Sequence, residues 1–308
     1  GTGTIGSIIV KYLLQLQTHF HVLIGGRRSI KEISMSTFYN SERLKYNQMN
    51  YNNDVELDNF CSQCLLVINA VGPSFKINDK IALHALRNNC HYIDIGGYGI
   101  LRDLLKPYEK SIEAQKLCFI IGVGWMPGIS GVFSKTIIET HLNSPENTNF
   151  NIYYGAVDNW SYSSTYDLAA SSMGKTRSYV YSHGKEIQVS PFRYTHHKFF
   201  PFIGHKKICM PSFDEQLTQL ATSLKQIRKI STFIMLNYYI SMGKFMFIKI
   251  FYKHNLNKAT LMLQDDYQRL VKKENKWGSV ICQVSKIEPE RKKGTFYYLY
   301  TKNNLLYT

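Results

Sequence analysis

The chain has 308 residues, 44% of them hydrophobic and 19% charged, which is ordinary for a globular protein with a core and long enough for about two domains. Its net charge of +15 is uneven, because residues 141–308 carry 23 Lys and Arg against 11 Asp and Glu. That excess fits an acidic substrate, a nucleic acid, an anionic membrane surface or a Lys-rich, Asn-rich and Tyr-rich genomic bias. No compact basic run with interleaved aromatic residues forms a binding arm, so we expect no nucleic-acid partner.

A glycine-rich turn opens the chain and runs directly into an apolar helical segment over 7–14. Glycines at this spacing let the backbone turn tightly and let a pyrophosphate approach the main chain, while the N–H groups of the following helix attract phosphate. The pattern therefore predicts a nucleotide site, although a glycine turn without a ligand is the alternative. We name residues 1–6 the glycine loop, and its candidate cofactor-binding residues are Gly1, Gly3, Thr4, Ile5 and Gly6.

Two arginines follow the next predicted strand, which covers 21–24 and ends in Gly25-Gly26-Arg27-Arg28. Arg27 lies 21 residues after Gly6, where an NAD-binding unit normally has an acidic residue for the ribose 2′-hydroxyl. Guanidinium groups at this place favour the 2′-phosphate of NADP. The alternative is a basic pair on the surface.

Strand and helix signals then alternate along the first half. We predict strands near 44–51 and over 64–70, 91–95 and 117–121, and helices over 78–89, 101–115 and 131–141. Glycine turns follow several of these strands, so the order predicts an α/β fold of Rossmann type with a doubly wound parallel sheet. We expect this domain to cover 1–145. A nucleotide-binding glycine loop normally follows a buried strand, so we also expect the chain to be a fragment without its first strand.

The turns at the carboxyl ends of these strands are expected to face the nucleotide. One turn supplies the further cofactor-binding candidates Asn69, Ala70, Val71, Gly72 and Pro73. Asp94 and Tyr98, at the end of the strand over 91–95, are the candidate catalytic acids or bases, and both can equally be structural.

The second half predicts an α+β domain over 146–308 with missing sequence at its end. A strand over 150–157, a helix over 161–173, a hairpin over 179–189 and strands over 280–284 and 295–300 follow one another. The apolar segment 230–252 contains lysines that a bilayer tolerates badly, so we predict two helices, packed in the core or at a membrane surface. Peripheral membrane contact through 230–252 and a homodimer are the partner expectations.

The cysteines and histidines point to no special chemistry. Six scattered cysteines and no visible signal peptide predict reduced thiols and a cytoplasmic protein. Cys61 and Cys64 have redox-motif spacing but run into an apolar strand, which favours core or edge thiols. His196, His197 and His205 with Cys209 fit no metal-ligand spacing and read as a basic loop, so we expect no metal.

Five motifs in order resemble the saccharopine dehydrogenase family. They are the glycine loop, the turn over 25–28, the turn over 69–73, the segment 92–94 and the Gly-x-Gly-x-x-Pro-Gly pattern over 122–128, and the resemblance covers about residues 1–140. It implies an NADP-dependent oxidoreductase that transfers hydride to or from a carbon–nitrogen bond of a small-molecule substrate. An enoyl or lipid-like substrate, or a non-catalytic NADP-binding protein, is the alternative. Where many members have an acidic residue before the Pro-Gly pair, this chain has Met126.

Overall fold

The computed structural model describes residues 1–16, 19–29, 41–97, 99–141, 148–173, 178–212, 215–223, 227–236, 247–248, 250–252, 254–272, 275–286 and 294–302. By its internal contacts the chain divides into two units, Gly1–Gly124 and Trp125–Thr308. The domain boundary near residue 145 stays a prediction.

Unit 1 alternates short parallel strands with helices. Its elements are α1 (Thr4–Gln15), β1 (Val22–Gly26), β2 (Leu44–Gln48), α2 (Asp54–Cys61), β3 (Leu66–Asn69), α3 (Ser74–Ile77), α4 (Lys80–Arg87), β4 (His91–Asp94), α5 (Gly99–Leu105), α6 (Glu109–Ala114) and β5 (Phe119–Ile120). β1 pairs with β2, and β3, β4 and β5 pair in that order, all in parallel. This confirms the predicted α/β architecture with Rossmann-like parallel strands.

Local sequence explains most of these elements. Val10 of α1 packs on Ile24 of β1 and Leu44 of β2, so the apolar face of the helix covers the strands. The predicted helix over 101–115 is interrupted, because Lys106-Pro107-Tyr108 forms a 3-10 turn between α5 and α6. Proline lacks an N–H group and interrupts an α-helix at this place.

Helix α2 was not predicted, although the sequence carries a signal for it. The side chain of Asn53 accepts hydrogen bonds from the N–H groups of Val55 (3.1 Å) and Glu56 (3.4 Å). Glu56 in turn accepts from the Asn50 N–H at 2.7 Å. A capping residue followed three positions later by Glu is a signature of a helix start.

Unit 2 is built on a mixed sheet with helices. Its elements are α7 (Ile129–His141), β6 (Thr148–Val157), α8 (Tyr162–Met173), β7 (Ser178–Ser182), β8 (Lys185–Val189), α9 (Pro191–Tyr194), β9 (His196–Phe200), β10 (His205–Ser212), α10 (Glu215–Ser223), β11 (Lys229–Leu236), α11 (Leu256–Val271), β12 (Trp277–Lys286) and β13 (Gly294–Lys302). The strand order is β13-β12-β6-β11-β10-β9, and β7 pairs with both β11 and β8. Among the described strands of unit 2, only β6 and β11 pair in parallel. The α+β expectation therefore holds for this unit.

Two sequence predictions were wrong in unit 2. Residues 230–236 form most of strand β11 instead of a helix, because this apolar run is inserted between β6 and β10 and is buried on both faces. Residues 237–246 lie outside the described residues. The predicted basic loop around His196 and His205 is the antiparallel hairpin of β9 and β10, whose alternating burial fits a strand.

Within the part of the chain that the structure describes, no helix is long and apolar enough to span a bilayer, and no three metal-ligating side chains come together. Membrane contact through 230–252 stays a prediction.

The outermost strands of the unit 2 sheet, β9 and β13, approach each other. Phe202, just after β9, stacks on Tyr298 of β13 with 4.6 Å between ring centroids. The Lys198 Nζ of β9 lies 5.0 Å from the ring centroid of Phe296 in β13. The sheet is therefore strongly curled, so side chains from strands far apart in its order meet on one face.

Candidate nucleotide-binding site

The glycine loop includes the first turn of α1, which begins at Thr4. Gly3 precedes the first helical residue in an extended backbone conformation, and no side chain caps this end of α1. The Gly3 carbonyl accepts hydrogen bonds from the Ser7 N–H (2.9 Å) and the Ser7 hydroxyl (2.8 Å). The first turn contains no acidic residue. The N–H groups of Thr4, Ile5 and Gly6, which have no partner inside the helix by position, are thus left for an anion.

The glycines of the loop differ in what a side chain would meet. A Cβ atom at Gly6 would lie 2.4 Å from the carbonyl oxygen of Gly1, which is a collision with backbone. A Cβ atom at Gly3 would meet nothing within 4 Å. Gly6 is therefore required by the fold of the loop itself, whereas Gly3 leaves open space in front of the helix. Open space beside unpaired N–H groups is what a pyrophosphate needs.

The loop is attached to the carboxyl end of β1. The amino group of Gly1 donates a hydrogen bond to the Gly25 carbonyl at 2.6 Å. A Cβ atom at Gly1 would lie 2.8 Å from Ile24 Cγ2, so the backbone runs close against the strand. Ligands of parallel sheets bind beyond the carboxyl ends of the strands, and the glycine loop lies at this edge.

Arg27 and Arg28 follow β1 and are both exposed, but they have different contacts. Arg28 Nη2 donates to the Thr2 carbonyl at 2.9 Å and lies 3.4 Å from the Thr2 hydroxyl oxygen. The Arg27 guanidinium has no hydrogen-bond or ion-pair partner among the described residues. Arg28 thus fixes the glycine loop, whereas the exposed Arg27 guanidinium makes no such contact with the described residues.

Strand β2 supports the backbone of both arginines, which sequence reasoning missed. The Tyr46 hydroxyl lies within hydrogen-bonding distance of the Gly26 and Arg28 carbonyls, and Gln48 Nε2 donates to the Arg27 carbonyl at 3.2 Å. In the parallel register Tyr46 is opposite Ile24 and Gln48 is opposite Gly26. Only the strand pairing reveals these contacts, since 18 to 21 residues separate the partners.

A second cluster joins the carboxyl ends of β3 and β4. Asn69 Nδ2 donates to Asp94 Oδ2 (2.8 Å), as does the Tyr92 hydroxyl (2.5 Å), and the Gly96 N–H donates to Asp94 Oδ1 (2.8 Å). Asn69 and Asp94 are each only 3% exposed. Burial, together with the Asp94 carboxylate, raises the pKa of Tyr92, so its phenol keeps the proton and remains a donor.

This cluster shapes the turn over 69–73. The Val71 N–H donates to Asn69 Oδ1 at 3.0 Å, which begins the turn, and Pro73 precedes α3. Ala70, Val71 and Gly72 are half-buried, and Pro73 is buried. Asn69 and Asp94 also line a pocket with Ser74 and Gly97. The Asp94 carboxylate is thus close to a cavity, although its hydrogen bonds from Asn69, Tyr92 and Gly96 are internal. Tyr98 lies outside the described residues.

Cys61, Cys64 and Cys90 form a group of buried or half-buried thiols. Burial, with Cys90 nearby, raises the pKa of Cys61 to about 12 and that of Cys64 to about 11. Cys90 Sγ donates to the carbonyls of Cys61 (3.2 Å) and Cys64 (3.1 Å). A thiol with a raised pKa is a poor nucleophile, which agrees with core or edge thiols.

The match to a protein family lies in unit 1. Residues 1–118 match the family model of the saccharopine dehydrogenase NADP binding domain. The resemblance seen in the motifs is confirmed over these residues, which form an NAD(P)-binding, oxidoreductase-like domain. The search of curated proteins gave no match.

Several solved structures resemble the chain at 8% to 9% sequence identity. The yvaA protein of Bacillus subtilis has a TM-score of 0.42, covering 99% of this chain and 83% of its own. GenD2 of gentamicin A biosynthesis, bound to NAD, has a TM-score of 0.43, and the match covers 96% of this chain and 70% of GenD2. Biliverdin reductase of Synechocystis, in complex with biliverdin and NADP+, has a TM-score of 0.33, and the match covers 94% of this chain and 86% of the reductase. Scores this low support no conclusion about the activity of this chain.

Proposed function

We propose that the protein is an NADP-dependent oxidoreductase of saccharopine dehydrogenase type, which transfers a hydride to or from the carbon–nitrogen bond of an imine or secondary amine. The NAD(P)-binding domain over residues 1–118 is the premise. The observation that carries the NADP preference is the pair Arg27 and Arg28 at the end of β1, one of them bonded to the glycine loop. A carboxylate at this place would repel a 2′-phosphate, and guanidinium groups attract it.

The residues present fit this cofactor. The open space in front of Gly3 and the first-turn N–H groups of α1 would hold the pyrophosphate. Arg27 and Arg28 would hold the 2′-phosphate, and the turn over 69–73 would lie along the nicotinamide side. The bound nicotinamide supplies or accepts the hydride, and the protein contributes binding and orientation.

Asp94 and Tyr98 remain the proposed acid–base residues, with one refinement for Asp94. Its two carboxylate oxygens accept hydrogen bonds from Asn69, Tyr92 and Gly96. In this arrangement Asp94 acts as a positioning residue for the turn over 69–73. Proton transfer by Asp94 would require it to release one of these donors.

The sequence feature that favours an enoyl or lipid-like substrate is the apolar segment 230–252. Residues 230–236 of this segment lie inside the unit 2 sheet, so these residues give that alternative no support. The non-catalytic alternative stays open to the experiment below, because nucleotide binding and turnover are measured separately.

The test is a titration of the full chain with NADPH and with NADH. We expect the parent to bind NADPH more tightly, and the double variant Arg27→Ala with Arg28→Ala to lose most of that preference. The matched control is Lys106→Ala with Lys110→Ala, which removes the same charge from two exposed positions of unit 1 and should leave both affinities unchanged. If the double variant bound NADPH like the parent, the assignment of NADP would be wrong.

Gly3→Val tests the phosphate site separately. The backbone of Gly3 has a φ of −81°, which any residue adopts, and its Cβ position is open. The variant should therefore fold with the parent's melting temperature and yet bind neither nucleotide. Normal NADPH binding by Gly3→Val would contradict the proposed position of the pyrophosphate. Oxidation of NADPH in the presence of mixed amines and carbonyl compounds then separates an enzyme from a binding protein.

A further inference from the structure

A polar cluster lies on the curled sheet of unit 2, far in sequence from the glycine loop. Lys198 of β9 extends its ammonium group to the Tyr153 hydroxyl of β6 at 3.3 Å and to Gln283 Oε1 of β12. The ammonium nitrogen also lies over the rings of Tyr153 (4.8 Å to the centroid) and Phe296 (5.0 Å). We name Lys198, Tyr153 and Gln283 the Lys198 cluster.

The hydrogen bonds of the cluster leave donors unused. The Tyr153 hydroxyl lies 3.3 Å from Gln283 Oε1, so this single oxygen faces both the phenol and the ammonium group. Burial raises the pKa of Tyr153, so the phenol keeps its proton. An ammonium group has three donors and a carboxamide nitrogen has two. Among the described residues, one N–H of Lys198 and the Gln283 Nε2 group have no acceptor.

The ammonium group of Lys198 is flanked by two aromatic rings, and no carboxylate of the described residues lies within ion-pair distance of it. Lys198 is half-buried, and burial lowers its pKa. A cation that is partly removed from water gains much from an anion that reaches it, because screening is weaker there than at the open surface.

We propose that the Lys198 cluster is a carboxylate-binding site, in which the Lys198 ammonium and the Gln283 carboxamide donate to the two oxygens of one carboxylate while Tyr153 holds Gln283 in place. The cluster offers one positive charge, on Lys198, and neutral donors, which suits a ligand group with a single negative charge such as a carboxylate.

The experiment follows the Lys198 side chain directly. The full chain is labelled with 13C,15N-lysine, and the Cε resonance that Lys198→Met removes is titrated with pH in the presence of succinate, of its neutral diamide and of inorganic phosphate. A bound carboxylate should raise the pKa of Lys198 by about 1 or more at millimolar succinate, because an opposite charge in contact favours the charged form. The neutral diamide should leave it unchanged. No response to succinate, or an equal response to the diamide, would overturn the proposal, as would a response to phosphate alone.

Gln283→Glu provides an internal anion at the same place. This nearly isosteric change should raise the pKa of Lys198 without ligand and abolish the response to succinate. Lys206→Met is the matched control, since Lys206 is an exposed lysine of the same sheet and its loss should leave the succinate response intact. If Lys198→Met fails to fold, Gln283→Glu still decides, because persistence of the succinate response in it would contradict the site.

A nucleotide titration on the same samples separates this site from the proposed function. Lys198→Met should bind NADPH like the parent, since the nucleotide residues lie in unit 1. A parent that responds to succinate but binds no nucleotide would refute the proposed function and leave the carboxylate site standing. A parent that binds NADPH without a succinate response would refute the site alone.

Discussion

The two arginines after β1 should differ when each is replaced by itself. Arg27 has no partner among the described residues, so we expect Arg27→Ala to act through the proposed contact with the 2′-phosphate. A charge-assisted hydrogen bond contributes about 1.5–3 kcal/mol, and the lower value applies at an exposed position. We therefore expect Arg27→Ala to weaken NADPH binding about 10-fold and to leave NADH binding unchanged.

Arg28 has a second task, because its Nη2 group donates to the Thr2 carbonyl of the glycine loop at 2.9 Å. Loss of this hydrogen bond loosens the loop that both nucleotides share, at a cost of about 1 kcal/mol or about 5-fold in affinity. Arg28→Ala should thus weaken NADH binding about 5-fold. It should weaken NADPH binding more, because the loss of the proposed phosphate contact multiplies that factor. Among the described residues its Nε and Nη1 hydrogens have no acceptor, so the proposed phosphate contact can use them.

Both single variants are measured by fluorescence titration with NADPH and NADH at one fixed salt concentration, since exposed charges are screened by salt. Arg28→Lys is a useful companion, because it keeps the charge but presents a single point donor to Thr2. Equal losses for the two nucleotides in Arg27→Ala, or an unaffected NADH affinity in Arg28→Ala, would refute the division of roles.

Three further predictions concern unit 1. Asp94→Asn should lower the free energy of unfolding by about 1–3 kcal/mol in urea titrations, because a buried acceptor of several donors is weakened; a loss of turnover far beyond this effect would instead support proton transfer by Asp94. Burial by itself would raise the pKa of the Asp58 carboxyl, but hydrogen bonds from His84 and Asn88 outweigh this effect and hold that pKa below its usual value. A carboxyl whose pKa is lower in the folded than in the unfolded protein stabilises the fold at pH values above its unfolded pKa. The difference in melting temperature between the parent and Asp58→Asn should therefore be largest near neutral pH and disappear as the pH falls below about 4. A difference that grows in acid would contradict this. With a disulfide reagent at pH 8, exposed Cys118 should react first and Cys61 only on unfolding; fast labelling in the Cys118→Ser variant would count against it.

Unit 1 was largely readable from the sequence because its signals are local. Apolar runs of four to six residues, each followed by a glycine turn, identified the strands over 66–69 and 91–94. The distance of 21 residues from Gly6 to Arg27 is read directly from the sequence, and the proposed preference for NADP rests on it. Even the missed helix α2 has a local capping signal at Asn53 and Glu56.

Tertiary structure decided the features that depend on pairing. An apolar run does not distinguish a buried strand from a buried helix, and residues 229–236 became a strand only because β6 and β10 lie on either side. The hydrogen bond from Arg28 to the Thr2 carbonyl joins residues that are 26 positions apart in the sequence. In the Lys198 cluster, Lys198 contacts Tyr153, which is 45 residues away in the sequence, and Gln283, which is 85 residues away. No periodicity of the sequence could indicate these contacts. Local chemistry sets the turns and the helix ends, whereas packing between distant strands determines which donors are left for a ligand.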